Sequence, residues 1–279
     1  MDISFRCHEQ DNFKRKTQSV RAFSYKEYSI DPHVHDFYEM NIVIHGTGIH
    51  TVGDSSLSVR RGDVFVIPPS TVHSYSNTGH LEVYHLLLRA DFVRHELSFD
   101  VPGMIQLFEI EPFLRRNCSE AMFLRLTPPE LSLVERELVF VEDGSEFDNP
   151  SFELIGVHTV AKLVYYLSYL LSKRIGEREE VPEAKYRPQI LDTLEYISRH
   201  FNEKLTVNSL AERVYLSRST FLRNFEAVCG CTPGKYIMDY RVRAAIELMR
   251  DKDMSKTEIA HFCGFFDLSH MERSTRGRR

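Results

Sequence analysis

No apolar run in the sequence approaches the roughly 20 residues that a membrane span requires. The first ten residues, MDISFRCHEQ, hold no apolar core of the signal-peptide kind, so the expectation is a cytoplasmic protein without a membrane partner. Cysteine is scarce: five residues, an odd number and scattered, which suit a reducing compartment better than a disulfide framework. The Cys229-Gly230-Cys231 step has no nearby partner ligands and reads as part of a turn rather than a zinc or redox site. Strong charge of either sign is also missing, since the formal net charge is -5.

That modest net value hides an asymmetry. Residues 186–279 carry 16 Lys and Arg against 12 Asp and Glu, a net of +4, and the remainder carries -9. A basic tail on an acidic body suits one part that meets phosphates and another that does not. The hydrophobic fraction of 42% is ordinary for a globular protein, and 279 residues are enough for two domains.

From about Val20 to Leu88 short strands alternate with turns. YEMNIVIHG (38–46) reads as a strand that stops at Gly46, and Gly48, Gly53-Asp54 and Arg61-Gly62-Asp63 mark turns. LEVYHLLL (81–88) is a further strand. So many short strands indicate a small β-barrel or sandwich. Helical patterns follow, near Glu130 to Glu142 and from Ser151 to Lys173. The second places Ile155, Val160, Leu163, Val164, Leu167, Leu170 and Leu171 over more than one face, so it calls for two partner surfaces: the barrel and a second subunit.

The expected organisation is a domain over 1–172, a charged linker over 173–188, and an all-helical domain over 189–279. In the last, one pattern occurs twice. LAERVYLSRSTFLRNF (210–225) returns as IAHFCGFFDLSHMERST (259–275), with Leu210-Ala211 matching Ile259-Ala260 at an offset of 49. After the turn the offset is 50, which pairs Phe221 with Met271 and Arg223 with Arg273. Each copy is a helix-turn-helix, over about 206–228 and 257–276, with a connecting helix over about 233–250. A reading helix needs a tight turn before it, an apolar back and exposed polar residues near its start. In the first copy Phe221 and Phe225 form the back, and Ser219, Thr220 and Arg223 face outward. Arg218, Arg241 and Arg243 would meet phosphates.

This tail resembles the AraC/XylS family of bacterial transcription regulators. The similarity runs from about Ile190 to Thr275 on the L-A-x4-L-S-x-S-x3-R-x-F run, G-C-T-P-x2-Y-I, YRVRAAIELM and I-A-x3-G-F. It implies that Ser219, Leu222 and Arg223 of the first unit, and Ser269, His270 and Arg273 of the second, face bases. Met271 and Thr275 stand where the family has Phe. The family's closing helix has no counterpart ahead of the final RGRR, so the second unit is expected to be marginal when free.

A second dense signal, HVHDFYEMNIVIHG, sits in the front domain. Its H-x-H-x3-E-x6-G spacing (His33, His35, Glu39, Gly46) is similar to the first cupin motif. Gly62, Pro68, His73 and Asn77 match the second, with Ser70 in place of a glycine. The resemblance implies a cupin-type barrel that carries a sensing site. His33, His35, Glu39 and His73 are then either ligands of a divalent transition metal or hydrogen-bonding groups of a metal-free effector pocket, joined by Tyr38. His50, Tyr75 and His85 are weaker members.

The fold expected is α+β in two domains, a cupin-type barrel with accessory helices and an all-α tandem helix-turn-helix. The function expected is a non-enzymatic, ligand-responsive activator of a carbohydrate-utilisation operon. Its partners would be promoter DNA, a sugar-like effector, a second copy of the chain and RNA polymerase. The alternatives are a metal-dependent cupin enzyme with a vestigial tail, or a regulator impaired in DNA binding.

Overall fold

The computed structural model describes residues 3–27, 29–53, 55–117, 124–144, 149–177, 186–249 and 254–276. It divides into two compact units, Met1–Arg178 and Glu179–Arg279. Half of the expected linker, residues 178–185, and the terminal Gly277-Arg278-Arg279 lie outside the described residues. The first residues of that linker are helical, because the long helix continues to Glu177.

The first unit opens with β1 (Phe5–Cys7), α1 (Glu9–Asn12), β2 (Val20–Glu27) and β3 (Ile30–His35). β4 (Tyr38–Val52), β5 (Ser55–Arg60), β6 (Asp63–Ile67) and β7 (His73–Leu88) follow. After them come α2 (Ala90–His95), a π-helical stretch (Gln106–Ile110) that runs into α3 (Glu111–Asn117), and β8 (Leu124–Arg125). The helices α4 (Pro128–Gly144) and α5 (Pro150–Glu177) complete the unit.

The eight strands make one mixed sheet in the order β1-β3-β7-β4-β6-β8, with β2 beside β7 and β5 beside β4. β4 and β7 run the full length. β4 pairs β6 over Glu39–Ile42 and β5 over Thr47–Val52, and this exchange of partners along one strand curls the sheet. The expectation that the strand ends at Gly46 is corrected. Gly46, at φ 74°, is where the β4–β7 register shifts, and the strand bends there instead of stopping.

Strand alternation sorts the side chains onto two faces. Met40, Ile42, Val64, Val66, Leu86 and Leu88 join Val160, Leu163, Val164, Leu167 and Leu171 of α5 in the larger core. Val43, Val59, Phe65, Ile67, Tyr75, Leu81 and Val83 fill the other face. By length and hydropathy α5 would suffice to cross a membrane, contrary to the sequence expectation, but half of its most apolar window is buried in the unit. Its outer side leaves Leu154, Ile155 and Tyr169 exposed, and Leu133, Val139 and Phe140 of α4 are exposed as well.

The second unit is helical: α6 (Arg187–His200), α7 (Val207–Arg213), α8 (Arg218–Cys229), α9 (Pro233–Leu248), α10 (Lys256–Phe262) and α11 (Leu268–Thr275). Its starts are written in the sequence as caps. Thr206 and Ser255 each form a reciprocal capping box, and Ser217, Thr232 and Asp267 each accept from a backbone N–H of the first turn. The second helix-turn-helix therefore starts from Ser255, two residues before the expected Thr257. Gly230 ends α8 in the left-handed conformation, φ 67°.

Candidate functional site

The register of the sheet collects a histidine cluster around one carboxylate. β3 and β7 set His33 opposite His73, and their ring centroids are 4.1 Å apart. β4 and β7 set Asn41 opposite His85, and β2 sets Phe23 opposite His85, where the rings stack at 5.2 Å. His33, His35, Glu39, His50, His73 and His85 are all buried. His85 Nδ1 makes a short hydrogen bond to Glu39 Oε1. His35 Nε2 and His73 Nε2 lie 3.1 and 3.6 Å from the other carboxylate oxygen, Oε2. Neither is aligned as a hydrogen bond, so both nitrogens remain without a hydrogen-bond partner.

Three of the Nδ1 atoms are anchored. Nδ1 of His33 lies 3.0 Å from the Asp31 carbonyl, Nδ1 of His35 lies 2.6 Å from the Phe37 carbonyl, and Nδ1 of His73 lies 3.3 Å from His50 Nε2. Burial lowers the pKa of His33, and those of His50 and His73 well below the usual imidazole range. Burial of Glu39 works against its ionisation, but the contacts from His35 and His85 outweigh it and hold the carboxyl well below the usual range. The donor atoms of His33, Glu39 and His73 lie within 4.8 Å of one another. Three imidazoles and a carboxylate, with unpartnered Nε2 atoms aimed at one oxygen, fit a transition-metal ion.

Tyr38 is not brought to this cluster. As the neighbour of Glu39 on a strand it points to the opposite face, where its ring lies 5.9 Å from that of Phe108. His85, given less weight in the sequence, is the closest partner of Glu39. Asn41, absent from the sequence reading, donates to Tyr75 Oη at 3.0 Å, and its signal was the two-residue step from Glu39. A surface cleft of about 450 Å³ lies over Thr47, Gly48, Ser58 and Asn77; no member of the cluster lines it.

The cupin spacing also has a backbone meaning. Gly46, Gly62, Ser70 and Asn77 all have positive φ, at 74°, 91°, 62° and 49°. Ser70 stands where the motif has glycine, and its N–H donates to the His35 carbonyl at 2.8 Å. Relief of the left-handed strain predicts that Ser70→Gly stabilises the sheet unit by roughly 0.5–1 kcal/mol, read as a higher melting temperature.

The second unit repeats itself in detail. Leu216 N–H bonds Ala211 O at 3.0 Å, and Phe265 N–H bonds Ala260 O at 2.9 Å, the same turn in both copies. Behind α8, Phe221 and Phe225 are fully buried, and Phe225 meets Tyr236 edge-on at 5.8 Å. Behind α11, Met271 and Thr275 are equally buried, so Thr275 does occupy a core position. Met271 packs with Val242, Ala245, Ile259, Cys263 and Phe265.

On the outer faces Arg218, Ser219, Arg223, Ser269 and Arg273 are exposed, and Thr220, Leu222 and His270 are half-buried. Arg218 donates to Asn208 Oδ1 at 2.7 Å, and His270 sets its ring edge-on to Phe265. Arg241 is a correction. It donates to the Phe201 and Glu203 carbonyls at 2.6 and 2.7 Å, satisfying the end of α6, and so is already engaged within the fold. Arg243 lies over the Tyr240 ring, at 5.2 Å from its centroid.

A domain with two such turn-linked helix pairs reads DNA; joined to a sheet domain that encloses polar side chains, it makes a ligand-responsive transcriptional regulator. Residues 17–108 match the AraC-like ligand-binding domain, and residues 210–278 match a helix-turn-helix domain. The HTH-type transcriptional activator RhaS of Escherichia fergusonii is 30% identical over 270 residues, covering 91% of this chain and 90% of that protein. The RhaS of Citrobacter koseri is 28% identical over 239 residues, covering 85% and 80%. Among solved structures, ToxT from Vibrio cholerae is 15% identical, covers 92% of this chain and 94% of that one, and has a TM-score of 0.39. The chain belongs to the AraC/XylS family of transcriptional regulators.

Proposed function

We propose that the chain is a cytoplasmic, non-enzymatic transcriptional activator that reads promoter DNA through α8 and α11 and takes its effector at the cluster around Glu39. The observation that carries this reading is the build of α8. A Ser217 cap fixes its start, Phe221 and Phe225 fix its back, and Ser219 and Arg223 are left facing outward. Arg223 offers a guanidinium that can bond two acceptors of a guanine edge, and Leu222 can meet a thymine methyl. Ser269, His270 and Arg273 would do the corresponding work on the next major-groove segment, with Arg218 and Thr220 near the backbone.

The two units divide the work. Residues 1–172 bind the effector, His33, His35, Glu39 and His73 forming its site, and residues 189–279 bind DNA. A sugar or sugar derivative is the effector class that the resemblance of the sheet domain to sugar-responsive regulators implies. Leu154, Ile155 and Tyr169 of α5 offer an apolar surface to a second copy, which would present two DNA-binding units to paired half-sites. The effector acts by binding one arrangement of the dimer more tightly than another. RNA polymerase is then the partner that receives the signal.

Arg223→Ala tests the reading of α8. It should weaken specific promoter binding by about 1–3 kcal/mol and relax selectivity at one base pair, measured by fluorescence anisotropy over single-base operator variants. An equal loss on every sequence would make Arg223 a phosphate contact.

A further inference from the structure

We infer that Phe266 is a base-reading residue of the second helix-turn-helix, its ring meeting the C5-methyl group of a thymine in the major groove. The inference rests on the reading of α11 as a DNA-reading helix and names one base group that is recognised there.

The repeat singles this residue out. Phe265 N–H bonds Ala260 O as Leu216 N–H bonds Ala211 O, an offset of 49. The N-caps Ser217 and Asp267 are 50 apart. The second turn therefore holds one extra residue between its buried ring and its cap, and that residue is Phe266. The core does not use it. A residue just before an N-cap often packs on the fourth residue of the helix, here Met271. Phe265 already packs with Met271, and Phe266 is 86% exposed. The turn also stays open where the next helix is in place. In the first copy α9 packs on α8 through Tyr236, yet Tyr215 in the turn is 96% exposed.

The surroundings of the ring select its partner. A reading helix enters the major groove by its N-terminal end, and Phe266 lies one residue before the cap of that end. The acidic groups nearby are engaged within the fold. Asp267 accepts from the His270 N–H at 2.6 Å, Glu258 accepts from the Ser255 N–H at 2.8 Å, and Glu272 lies 3.9 Å from Lys256. Arg273 and Arg276 are exposed. An apolar ring among outward cations suits a phosphate-lined groove better than an apolar protein face. The thymine methyl is the apolar group on the base edges of that groove, and phenyl rings meet it. In the first copy the apolar contact falls to Leu222. The matching position in the second copy, at the offset of 50, is Glu272, whose carboxylate cannot make it. Phe266 supplies an apolar reader from the turn instead.

The test uses the full-length chain and a duplex that it selects from a randomised pool. Each thymine of the site is replaced in turn by deoxyuridine, which removes only the methyl group. For the wild-type chain, one thymine in the segment read by α11 should matter, its replacement weakening binding about 4-fold in anisotropy titrations. Phe266→Ala should weaken binding to the unmodified duplex about 4- to 10-fold and bind thymine and uracil at that position equally well. Phe266→Leu should keep part of the discrimination. All three chains should melt alike, because the ring is exposed. The inference is overturned if no thymine replacement is felt, or if Phe266→Ala keeps the wild-type preference for thymine. It is also overturned if Phe266→Ala binds DNA as the wild type does but loses transcription with purified RNA polymerase, which would put the ring against the polymerase. Arg273→Ala separates the inference from the reading beneath it. If that variant loses the α11 segment of the footprint while Phe266→Ala keeps its thymine preference, α11 reads DNA and only the thymine contact falls. If Arg273→Ala leaves footprint and affinity unchanged, the reading of α11 falls and the inference with it.

Discussion

Replacing His33 and His73 together by alanine is expected to abolish the effector-dependent change in promoter affinity, so that the ratio of affinities with and without effector falls to about one. The two rings face each other across β3 and β7, His33 being paired with His73 in the register. His73 is fully enclosed and also holds His50. Removing both rings takes away two of the four donors around Glu39 and leaves that carboxylate with His35 and His85. A ligand can shift an equilibrium only through differential affinity, so a site that no longer grips its ligand transmits nothing. Anisotropy titrations of promoter DNA, with and without effector, measure the ratio, and circular dichroism checks that the sheet persists. A ratio that stays at its wild-type value would move the effector elsewhere; the cleft over Thr47, Ser58 and Asn77 is the next place to look.

The sequence made much of this site readable because spacing along a strand becomes position on a face. His33 and His35, and Glu39 four residues on, are read from one motif, and His73 from another. The fourth histidine contact, His85, was legible only as one residue in the apolar run Leu81–Leu88. Nothing local marks it; the pairing of β7 with β4 brings it to Glu39. Tyr38 failed for the opposite reason. Being next to Glu39 in sequence puts it on the other face of the strand. The extent of β4 and β7 was also hidden. Gly46 reads as a strand end and Leu81 as a strand start, yet Gly46, Asn77 and His80 are left-handed residues within continuous strands, near which the two partners shift register. The segment from Ala90 to Asn117 went unread. Its Glu111–Arg115 pair, buried at 2.6 Å with Arg115 over Phe65, is visible afterwards as an i, i+4 step.

In the helical domain the repeat itself was the guide, and the structure shows what the offset means. The caps Thr206 and Ser255, the turns before Leu216 and Phe265, and the buried pairs Phe221 with Met271 and Phe225 with Thr275 all fall into register. What the repeat could not tell was how Arg241 would be used. Its position on α9 looked ready for a phosphate, but the carbonyls at the end of α6 claim it.

The inequality of the two copies sets up a large stability effect, expected from Gly264→Ala. Gly264 and Tyr215 hold the same turn position, at φ 76° and 56°. In the first copy a tyrosine tolerates this conformation because its side chain is 96% exposed and meets nothing that resists it. In the second copy a Cβ on residue 264 would lie 2.7 Å from Asn202 O and 2.9 Å from Asn202 Cα. The left-handed strain of roughly 1–2 kcal/mol then adds to a backbone overlap of roughly 1–3 kcal/mol, for a loss of about 3 kcal/mol. The second copy has little to set against that loss. Thr275 sits where the first copy has a phenyl ring, and filling such a site with a ring is worth about 3 kcal/mol or more. Gly264→Ala should therefore open α10 and α11 while α7 and α8 stay folded around Phe221, Phe225 and Tyr236. Amide exchange would show it as lost protection over 257–273 with the first copy unchanged. On DNA the footprint should shorten to the segment that α8 reads. Uniform loss of protection across both copies would mean that they fold as one unit. Unchanged protection would mean that the Asn202 turn yields, so that the second copy is more robust than Thr275 suggests.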